Sequence, residues 1–348
     1  MGGHVNRRTV FVAAGVVVAV AATGALAARL LRPDPVAVAA TTLPHGQPVA
    51  AVAFSPDGRT LAAAEEYGGG NPVVKLWDYR AGTSSAEFAV GGIGTAIAFS
   101  LDGARLVTGG YDAYVEVHEV ATGKVTRLSP RAEKATAVAF GPTTVASGGT
   151  DGVRLRDAST GADGPALDGG GQPVSALAFS PDGALLAAGG RDGVRLWDAR
   201  TGAVVTTLGG QGAVASVAFS ADGALLAAGG DDAKVRVWNA LTFRLVHTLS
   251  GHRRAVVSVA FGPEGKSLAS VDGSSGDPKD DNDVTIRLWR VYTGTAIGEL
   301  PVAGTDEHGV GCSPGTTVDT TVAIGRDGRT LAANCGLGVR LWRLTGQE

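Results

Sequence analysis

The sequence is poor in cysteine, in aromatic residues and in excess charge. Two cysteines in 348 residues are too few for a disulfide scaffold or a cysteine-based zinc site. Lys and Arg number 30 and Asp and Glu 33, a net charge of −3, so no basic excess of the kind that binds nucleic acid is present. Because 44% of the residues are hydrophobic, the chain is not an acidic disordered protein either.

Glycine, by contrast, is abundant. The chain has 53 glycines in 348 residues, roughly twice the usual ~7%. No collagen-like period accompanies them, so they are expected in turns and at close backbone contacts. The richness in Arg, Ala, Gly and Val favours a GC-rich bacterial source.

An uncharged run over residues 9–28 stands apart from the rest. At about 1.5 Å per residue a helix of this length spans about 30 Å, the hydrocarbon thickness of a bilayer. We predict a tail over 1–8, a transmembrane anchor or signal sequence over 9–28 and a linker over 29–35. The alternatives are secretion after cleavage near Ala27 and a buried helix of the soluble domain. Flanking arginines set the orientation weakly; we expect a single-pass cell-membrane protein with the remaining chain outside the cytoplasm.

A repeated phrase fills the sequence after residue 36, and a second phrase follows each copy at a nearly fixed distance. The first phrase is VAFSPDG (52–58), IAFSLDG (97–103), VAFGPT (138–143), LAFSPDG (177–183), VAFSADG (217–223), VAFGPEG (259–265) and VAIGRDG (322–328). One position of the second phrase holds Trp77, His118, Arg156, Trp197, Trp238, Trp289 and Trp342. All five tryptophans of the protein therefore occupy one repeat position.

Each unit reads as four short strands, because β-branched segments alternate with Gly and Asp turns. A four-stranded sheet cannot bury both faces alone, but about 40-residue units arranged around an axis can, as in a propeller. The last unit lacks an outer strand, whereas the segment 36–43 precedes the first unit. We therefore predict that 36–43 pairs with the last strand and completes blade seven of a propeller over 36–344, with a tail at 345–348.

These phrases resemble those of the WD-repeat β-propeller family, in its Gly-His, Ser-Pro-Asp-Gly and Trp-Asp elements. The resemblance implies an all-β, seven-bladed propeller. It also implies a buried tetrad of hydrogen-bonded side chains, which only blade six carries in full: His252, Ser270, Asp283 and Trp289. Blade one has Ala63 in place of the hydroxyl.

Catalytic motifs are missing. The segment 260–267 only approaches a phosphate-binding loop and lies in a hairpin. The histidines form no HExxH pair, and the GxSxG string at 311–315 (GCSPG) is not a nucleophile elbow, because the sequence predicts no strand-to-helix turn there. We therefore expect a protein that is not an enzyme and has no cofactor.

Two insertions stand out. The acidic loop 272–283 offers a weak calcium site at Asp277, Asp280 and Asp281, although a solvated loop without metal is the favoured interpretation. The other insertion, over 301–319, contains Cys312. We predict a disulfide between Cys312 and Cys335, which agrees with export from the cytoplasm; two unrelated buried thiols are the alternative.

The resemblance implies a scaffold that presents one propeller face to protein or peptide partners, here at the cell envelope. An envelope enzyme, or a sensor of small ligands or metal in the central funnel, is the alternative. The repeat positions predict a partner-binding rim of Tyr67, Tyr111, Thr150, Arg191, Asp231, Asn282, Gln47, Glu133, Gln172 and Arg254.

Overall fold

The fold is known from a computed structural model, which describes residues 36–66, 72–90, 94–110, 114–128, 133–210, 212–273, 284–305, 311–312 and 320–345. For 36–40, 94–95, 304–305, 311–312 and 345 it describes the backbone alone. The predicted segments 1–8, 9–28 and 29–35 lie outside this part of the protein.

Over these residues the polypeptide forms seven antiparallel sheets, the blades, and one short ribbon. Blade one contains β2 (Val49–Phe54), β3 (Thr60–Glu65), β4 (Val73–Asp78) and β5 (Thr83–Ala89). Blade two contains β6 (Gly94–Phe99), β7 (Arg105–Gly110), β8 (Val115–Glu119) and β9 (Val125–Arg127). Blade three contains β10 (Ala137–Phe140), β11 (Thr144–Gly149) and β12 (Gly152–Asp157). Blade four contains β13 (Val174–Phe179), β14 (Leu185–Gly190), β15 (Gly193–Asp198) and β16 (Val204–Leu208).

Blade five contains β17 (Val214–Phe219), β18 (Leu225–Gly230), β19 (Lys234–Asn239) and β20 (Leu245–Ser250). Blade six contains β21 (Val256–Phe261), β22 (Ser267–Asp272), β23 (Thr285–Arg290) and β24 (Thr295–Pro301). The ribbon consists of β25 (Gly304–Thr305) and β26 (Gly311–Cys312). Blade seven contains β27 (Val322–Ile324), β28 (Thr330–Cys335), β29 (Gly338–Thr345) and, from the beginning of the described residues, β1 (Val36–Pro44).

The two ends of the propeller meet in blade seven. Strand β1 pairs antiparallel with β29, with Leu43 opposite Val339 and Thr41 opposite Leu341. The innermost strands contact one another in sequence around the ring, and β27 contacts β2. The ring is therefore closed by hydrogen bonds between its first and last strands.

The core is divided among the blade interfaces. Each of the seven hydrophobic clusters joins two neighbouring blades, and one of them joins blade seven to blade one through Leu43, Phe54 and Trp77. Hydroxyls on the innermost strands add cross-links, since the Ser216 Oγ accepts from the Val259 amide at 3.1 Å and the Ser258 Oγ from the Val322 amide at 3.2 Å. Stacking blades therefore buries what a single sheet would expose.

The Asp-Gly turns join the first two strands of a blade. In blade two the Ser100 hydroxyl donates to the Asp102 carboxylate, and this hydrogen bond lowers the pKa of Asp102. Gly103 takes a φ of +70°, a conformation that favours glycine. The phrase recurs because each copy forms this turn, so its aspartate has a structural role and does not indicate a catalytic carboxylate.

Blade three corrects one prediction, because it has three strands where the repeat pattern predicts four. In place of an outer strand the segment after β12 makes one isolated bridge, between Arg156 and Asp163. The residues over 159–173 are rich in Gly and Pro, which weaken strand pairing, and Thr160 is their single β-branched residue.

Candidate functional site

One face of the propeller gathers the described residues of the predicted rim. We call it the upper face: the connections that enter the innermost strands and those that leave the second strands. Backbone hydrogen bonds hold these two sets together, from Glu66 N to Pro48 O, Asp231 N to Ala213 O and Gly273 N to Ala255 O. The lower face holds the Asp-Gly turns and the turns after the third strands.

The described rim residues lie on the upper face. Arg254 is half-buried, and the exposed ones are Gln47, Glu133, Thr150, Gln172, Arg191 and Asp231. The predicted rim residues Tyr67, Tyr111 and Asn282 lie outside the described residues.

Below the upper face, blade six contains a buried hydrogen-bond network. The Ser270 hydroxyl lies 2.7 Å from the Trp289 Nε1, which donates to it, and 2.6 Å from the His252 Nε2. The other imidazole nitrogen, Nδ1, lies 3.2 Å from Asp272 Oδ2. The Thr285 amide donates to the second carboxylate oxygen of Asp272 at 2.7 Å. Three of the four predicted tetrad residues therefore come together.

The carboxylate of this network differs from the predicted one. Asp272, the last residue of β22, contacts His252, while the predicted Asp283 lies outside the described residues. The sequence pattern puts Asp272 at the start of the acidic loop, but its side chain is buried. The reason is register: Asp272 lies opposite Val256, at the upper end of the sheet and within reach of the imidazole.

Blade one has the same carboxylate position but lacks the hydroxyl. Its Nδ1–carboxylate distance, from His45 to Glu65 Oε1, is 3.2 Å, and the Val73 amide donates to Glu65 at 3.0 Å. With Ala63 in place of serine, neither Trp77 Nε1 nor His45 Nε2 has a hydrogen-bond partner among the described residues. Burial, reinforced by the Lys75 charge, lowers the pKa of His45 to about 4, and burial raises the pKa of Glu65.

A simple signal identifies Glu65 and Asp272. Blades two to five place a glycine at the end of the second strand, at Gly110, Gly149, Gly190 and Gly230. Blades one and six, whose connection to the innermost strand carries a histidine, place an acid there instead. Cys335 takes the same position in blade seven.

Blades two and three bury other side chains at the tryptophan position. In blade two His118 Nε2 lies 3.2 Å from Thr108 Oγ1, and the imidazole stacks on Phe88 with ring centroids 5.9 Å apart. Burial lowers the pKa of His118. In blade three the buried guanidinium of Arg156 lies 3.2 Å from the exposed Asp163.

Blade four is open where blade six is filled. A cavity of about 430 Å³ extends from the upper face to Trp197, lined by Gly169, Gly170, Gln172, Pro173, Val174, Ala188, Gly190, Arg191, Asp192, Gly193, Arg195, Trp197 and Thr207. We call it the blade-four pocket. Two predicted rim residues, Gln172 and Arg191, are part of its wall.

The innermost strands offer little chemistry. None of those that the structure describes carries an ionisable side chain, as VAAVAF in β2 and VSALAF in β13 illustrate. Within the described ranges no group of three or more His, Cys, Asp or Glu could hold a metal ion. The weak calcium candidates Asp277, Asp280 and Asp281 lie outside those ranges.

Two further predictions depend on residues that are described only partly or not at all. Cys335 is buried, and no described cysteine is a free thiol. The side chain of Cys312 lies outside the description, so the disulfide stays a prediction. As for the membrane, the described residues contain no helix long and apolar enough to cross it.

Seven blades with a buried tryptophan in five of them, closed by pairing the first strand with the last, define a seven-bladed β-propeller of repeats. The family model of the WD domain, G-beta repeat, matches residues 38–78, 166–198, 202–239 and 243–290. The protein belongs to this WD-repeat family, as the resemblance implied. The matched segments cover the tryptophans of blades one, four, five and six. The matches leave out strands β6 to β12 of blades two and three, which lack the tryptophan, and strands β27 to β29 of blade seven, which follow the insertion. No curated protein matches the sequence.

WD-repeat propellers are generally protein-interaction scaffolds and are typically non-catalytic. The functional site typical of this family is therefore a binding surface rather than a set of reactive groups. The described rim residues lie together on one such surface, the upper face.

Proposed function

We propose that this protein is a non-catalytic scaffold whose upper face binds a protein or peptide partner. The observation that carries the proposal is the placement of Gln47, Glu133, Thr150, Gln172, Arg191 and Asp231, exposed on one face in blades one, three, four and five. Loops on a rigid set of sheets are typical binding positions, because the scaffold holds them in place without further ordering.

The charges of this face are mixed. Arg191 lies beside the blade-four pocket, whereas Glu133 and Asp231 carry negative charge on the connections around it. A surface of mixed sign favours a partner with a complementary pattern over a uniformly charged polymer such as nucleic acid. We therefore propose protein or peptide partners and no nucleic acid.

The test is quantitative capture of partners by the full-length protein after chemical cross-linking. Reversing charge by Arg191→Glu on the upper face should reduce recovery of the specific partner at least about tenfold, since charge-assisted contacts contribute about 1.5–3 kcal/mol. The matched control is Arg200→Glu, the same change on the exposed lower-face turn of the same blade. Equal recovery with both variants would remove the upper face as the binding surface.

We also propose that the scaffold works at the cell envelope, anchored by residues 9–28 with the propeller outside the cytoplasm. The uncharged length of this segment supports an anchor over a cleaved signal. Protease added to intact cells should digest or release the propeller, and the N-terminal segment should stay with membranes. A propeller protected until the cells are lysed would contradict this orientation.

A disulfide between Cys312 and Cys335 belongs to the same proposal. The burial of Cys335, at the end of β28, supports it. A cross-link at this insertion should stabilise the fold by about 2–3 kcal/mol. Mass analysis of the unreduced protein should show a loss of two hydrogens relative to the dithiol; two alkylatable thiols would overturn the disulfide.

A further inference from the structure

The blade-four pocket occupies the place that the buried network fills in blade six. In register, Gly170 stands where His252 stands, Ala188 where Ser270 stands and Gly190 where Asp272 stands. All three small residues line the cavity, together with Trp197, the counterpart of Trp289. The imidazole, the hydroxyl and the carboxylate of blade six are thus replaced by open space in blade four.

The pocket is maintained by its own contacts. The Trp197 Nε1 donates to the Asp168 carbonyl at 2.9 Å, so the indole needs no serine. A Cβ on Gly170 would lie 2.8 Å from Leu167 Cβ, and one on Gly190 would lie 2.7 Å from the Pro173 carbonyl oxygen. A larger residue at either position would clash with its neighbours. The cavity is therefore open to a ligand, whereas a side chain at position 170 or 190 could not fill it without a shift of the surrounding residues.

Among the described residues, the blade-four pocket lacks a carboxylate–cation pair that most other blades form at the same repeat position. The residue two places before the tryptophan position is charged in each blade, and the part of the protein that the structure describes shows a carboxylate–cation pair at this residue in five blades. These pairs are Lys75–Glu87, Glu116–Arg127, Arg154–Asp151, Arg236–Asp232 and Arg287–Glu299. In blade seven Arg340 donates to the Val302 carbonyl and lies over Trp342.

Blade four differs from those five blades. Its Arg195 lies opposite Thr207 rather than an acid, and it donates to the Gly169 carbonyl at 2.7 Å. No carboxylate lies within 4 Å of Arg195 or Arg191 among the described residues. Arginine has five donors in a planar fork that matches a carboxylate, and two such groups border this cavity with a single acid, Asp192.

We propose that the blade-four pocket binds a peptide carboxylate, which pairs with Arg195 and Arg191 while a neighbouring apolar side chain enters the cavity toward Val174, Ala188 and Trp197. This inference rests on the proposed function, because it names the group by which the peptide partner is recognised. The volume of about 430 Å³ lies in the range of ligand pockets and accommodates one aromatic side chain with its backbone.

The experiment uses three small probes and the full-length protein. The probes are N-acetylphenylalanine, its amide, and N-acetylphenylalanyl-glutamic acid amide. The readout is the indole N–H resonance of Trp197, assigned by comparison with Trp197→Phe. We expect at least one acid to shift this resonance with a Kd on the order of 1 mM, the strength expected of a fragment of this size. Binding by the first acid alone assigns a C-terminal carboxylate, binding by the second alone assigns an acidic side chain, and binding by both assigns either group.

Two substitutions test the arginines. Arg195→Gln and Arg191→Gln should each weaken probe binding at least about tenfold, because each removes a charge-assisted hydrogen bond. Arg200→Gln on the lower face should leave binding unchanged. Since Arg195 also holds Gly169, the exposed Arg191 supplies the variant that leaves that contact intact. Equal binding of the amide, no shift up to about 10 mM, or unchanged affinity in both variants would overturn the proposal.

The probes need no partner, so the two proposals fail separately. If the probes do not bind while partner capture still depends on Arg191, the pocket is wrong and the upper face stands. If the probes bind and capture is indifferent to Arg191→Glu, the pocket stands as a carboxylate site and the scaffold proposal fails.

Discussion

Blades four and six share four strands and a buried tryptophan, but the space above that tryptophan differs between them. Blade six fills it with the side chains of His252, Ser270 and Asp272. The imidazole contacts the carboxylate and the hydroxyl, and the Trp289 indole donates to the hydroxyl. Blade four leaves this space to Gly170, Ala188 and Gly190, and a cavity results. One set of repeat positions therefore holds a buried hydrogen-bond network in one blade and an open pocket in another.

Blade one lies between these two cases. The ring centroids of His45 and Trp77 are 6.4 Å apart at 55°, nearly the arrangement of His252 and Trp289, which are 6.2 Å apart at 58°. It has the imidazole and the carboxylate, but Ala63 supplies no hydroxyl. The three blades thus form a series from complete to partial to open.

The largest expected effect comes from breaking the complete network. Asp272→Ala should lower the free energy of unfolding by about 3 kcal/mol, since His252 Nδ1 and the Thr285 amide would both lose a buried acceptor. Urea denaturation of the full-length protein measures it. The control Asp231→Ala, an exposed carboxylate in blade five, should change stability by less than about 0.5 kcal/mol. A loss below about 1 kcal/mol for Asp272→Ala would show that the network contributes little.

The next effect is a pH dependence from blade one. In the folded state the pKa of His45 falls from 6.5 to about 4, so the unfolded protein binds more protons between these values. The stability from a neutral His45 is therefore full above pH 6.5 and is lost as the pH falls toward 4. Between pH 7 and pH 5 this amounts to about 2 kcal/mol.

Burial also lowers the pKa of His118, so His118 adds to the loss of stability as the pH falls. The raised pKa of Glu65 has the opposite sign and offsets part of that loss. Comparing urea midpoints at the two pH values in wild type and His45→Gln isolates the His45 share. A variant that keeps the full pH dependence would show that His45 is not the buried neutral group responsible.

The smallest expected effect comes from a substitution that supplies the missing hydroxyl of blade one. Ala63→Ser should raise stability by about 1 kcal/mol, because the new hydroxyl would meet the unpartnered Trp77 Nε1 and His45 Nε2. The matched control is Ala188→Ser in blade four, where Trp197 already donates to Asp168 and no imidazole is present. Equal changes in thermal midpoint for both variants would mean that the difference between the two blades is not the missing hydroxyl.

Much of the fold followed from the repeats. The repeated phrases and turns predicted the strands of each unit, and the segment 36–43 before the first unit led to the pairing of β1 with β29. Blade three departs because its outer segment is rich in Gly and Pro, so one β-bridge, between Arg156 and Asp163, stands in place of a fourth strand.

The site was harder to predict. Asp272 and Glu65 contact histidines some 20 residues earlier in the sequence, and only the register of the second strand against the first places them there. The cavity in blade four depends on small residues from two segments, Gly170 before β13 and both Ala188 and Gly190 in β14. Such spaces depend on packing between blades, which a linear pattern does not contain.

Photo-cross-linking in cells tests directly whether the upper face binds a partner. A benzophenone amino acid would replace Gln172, beside the blade-four pocket on the upper face, or Arg200, on the lower face of the same blade. We expect an adduct with a discrete partner from position 172 and none from position 200. An adduct from position 200 alone, or the same adduct from both positions, would contradict it.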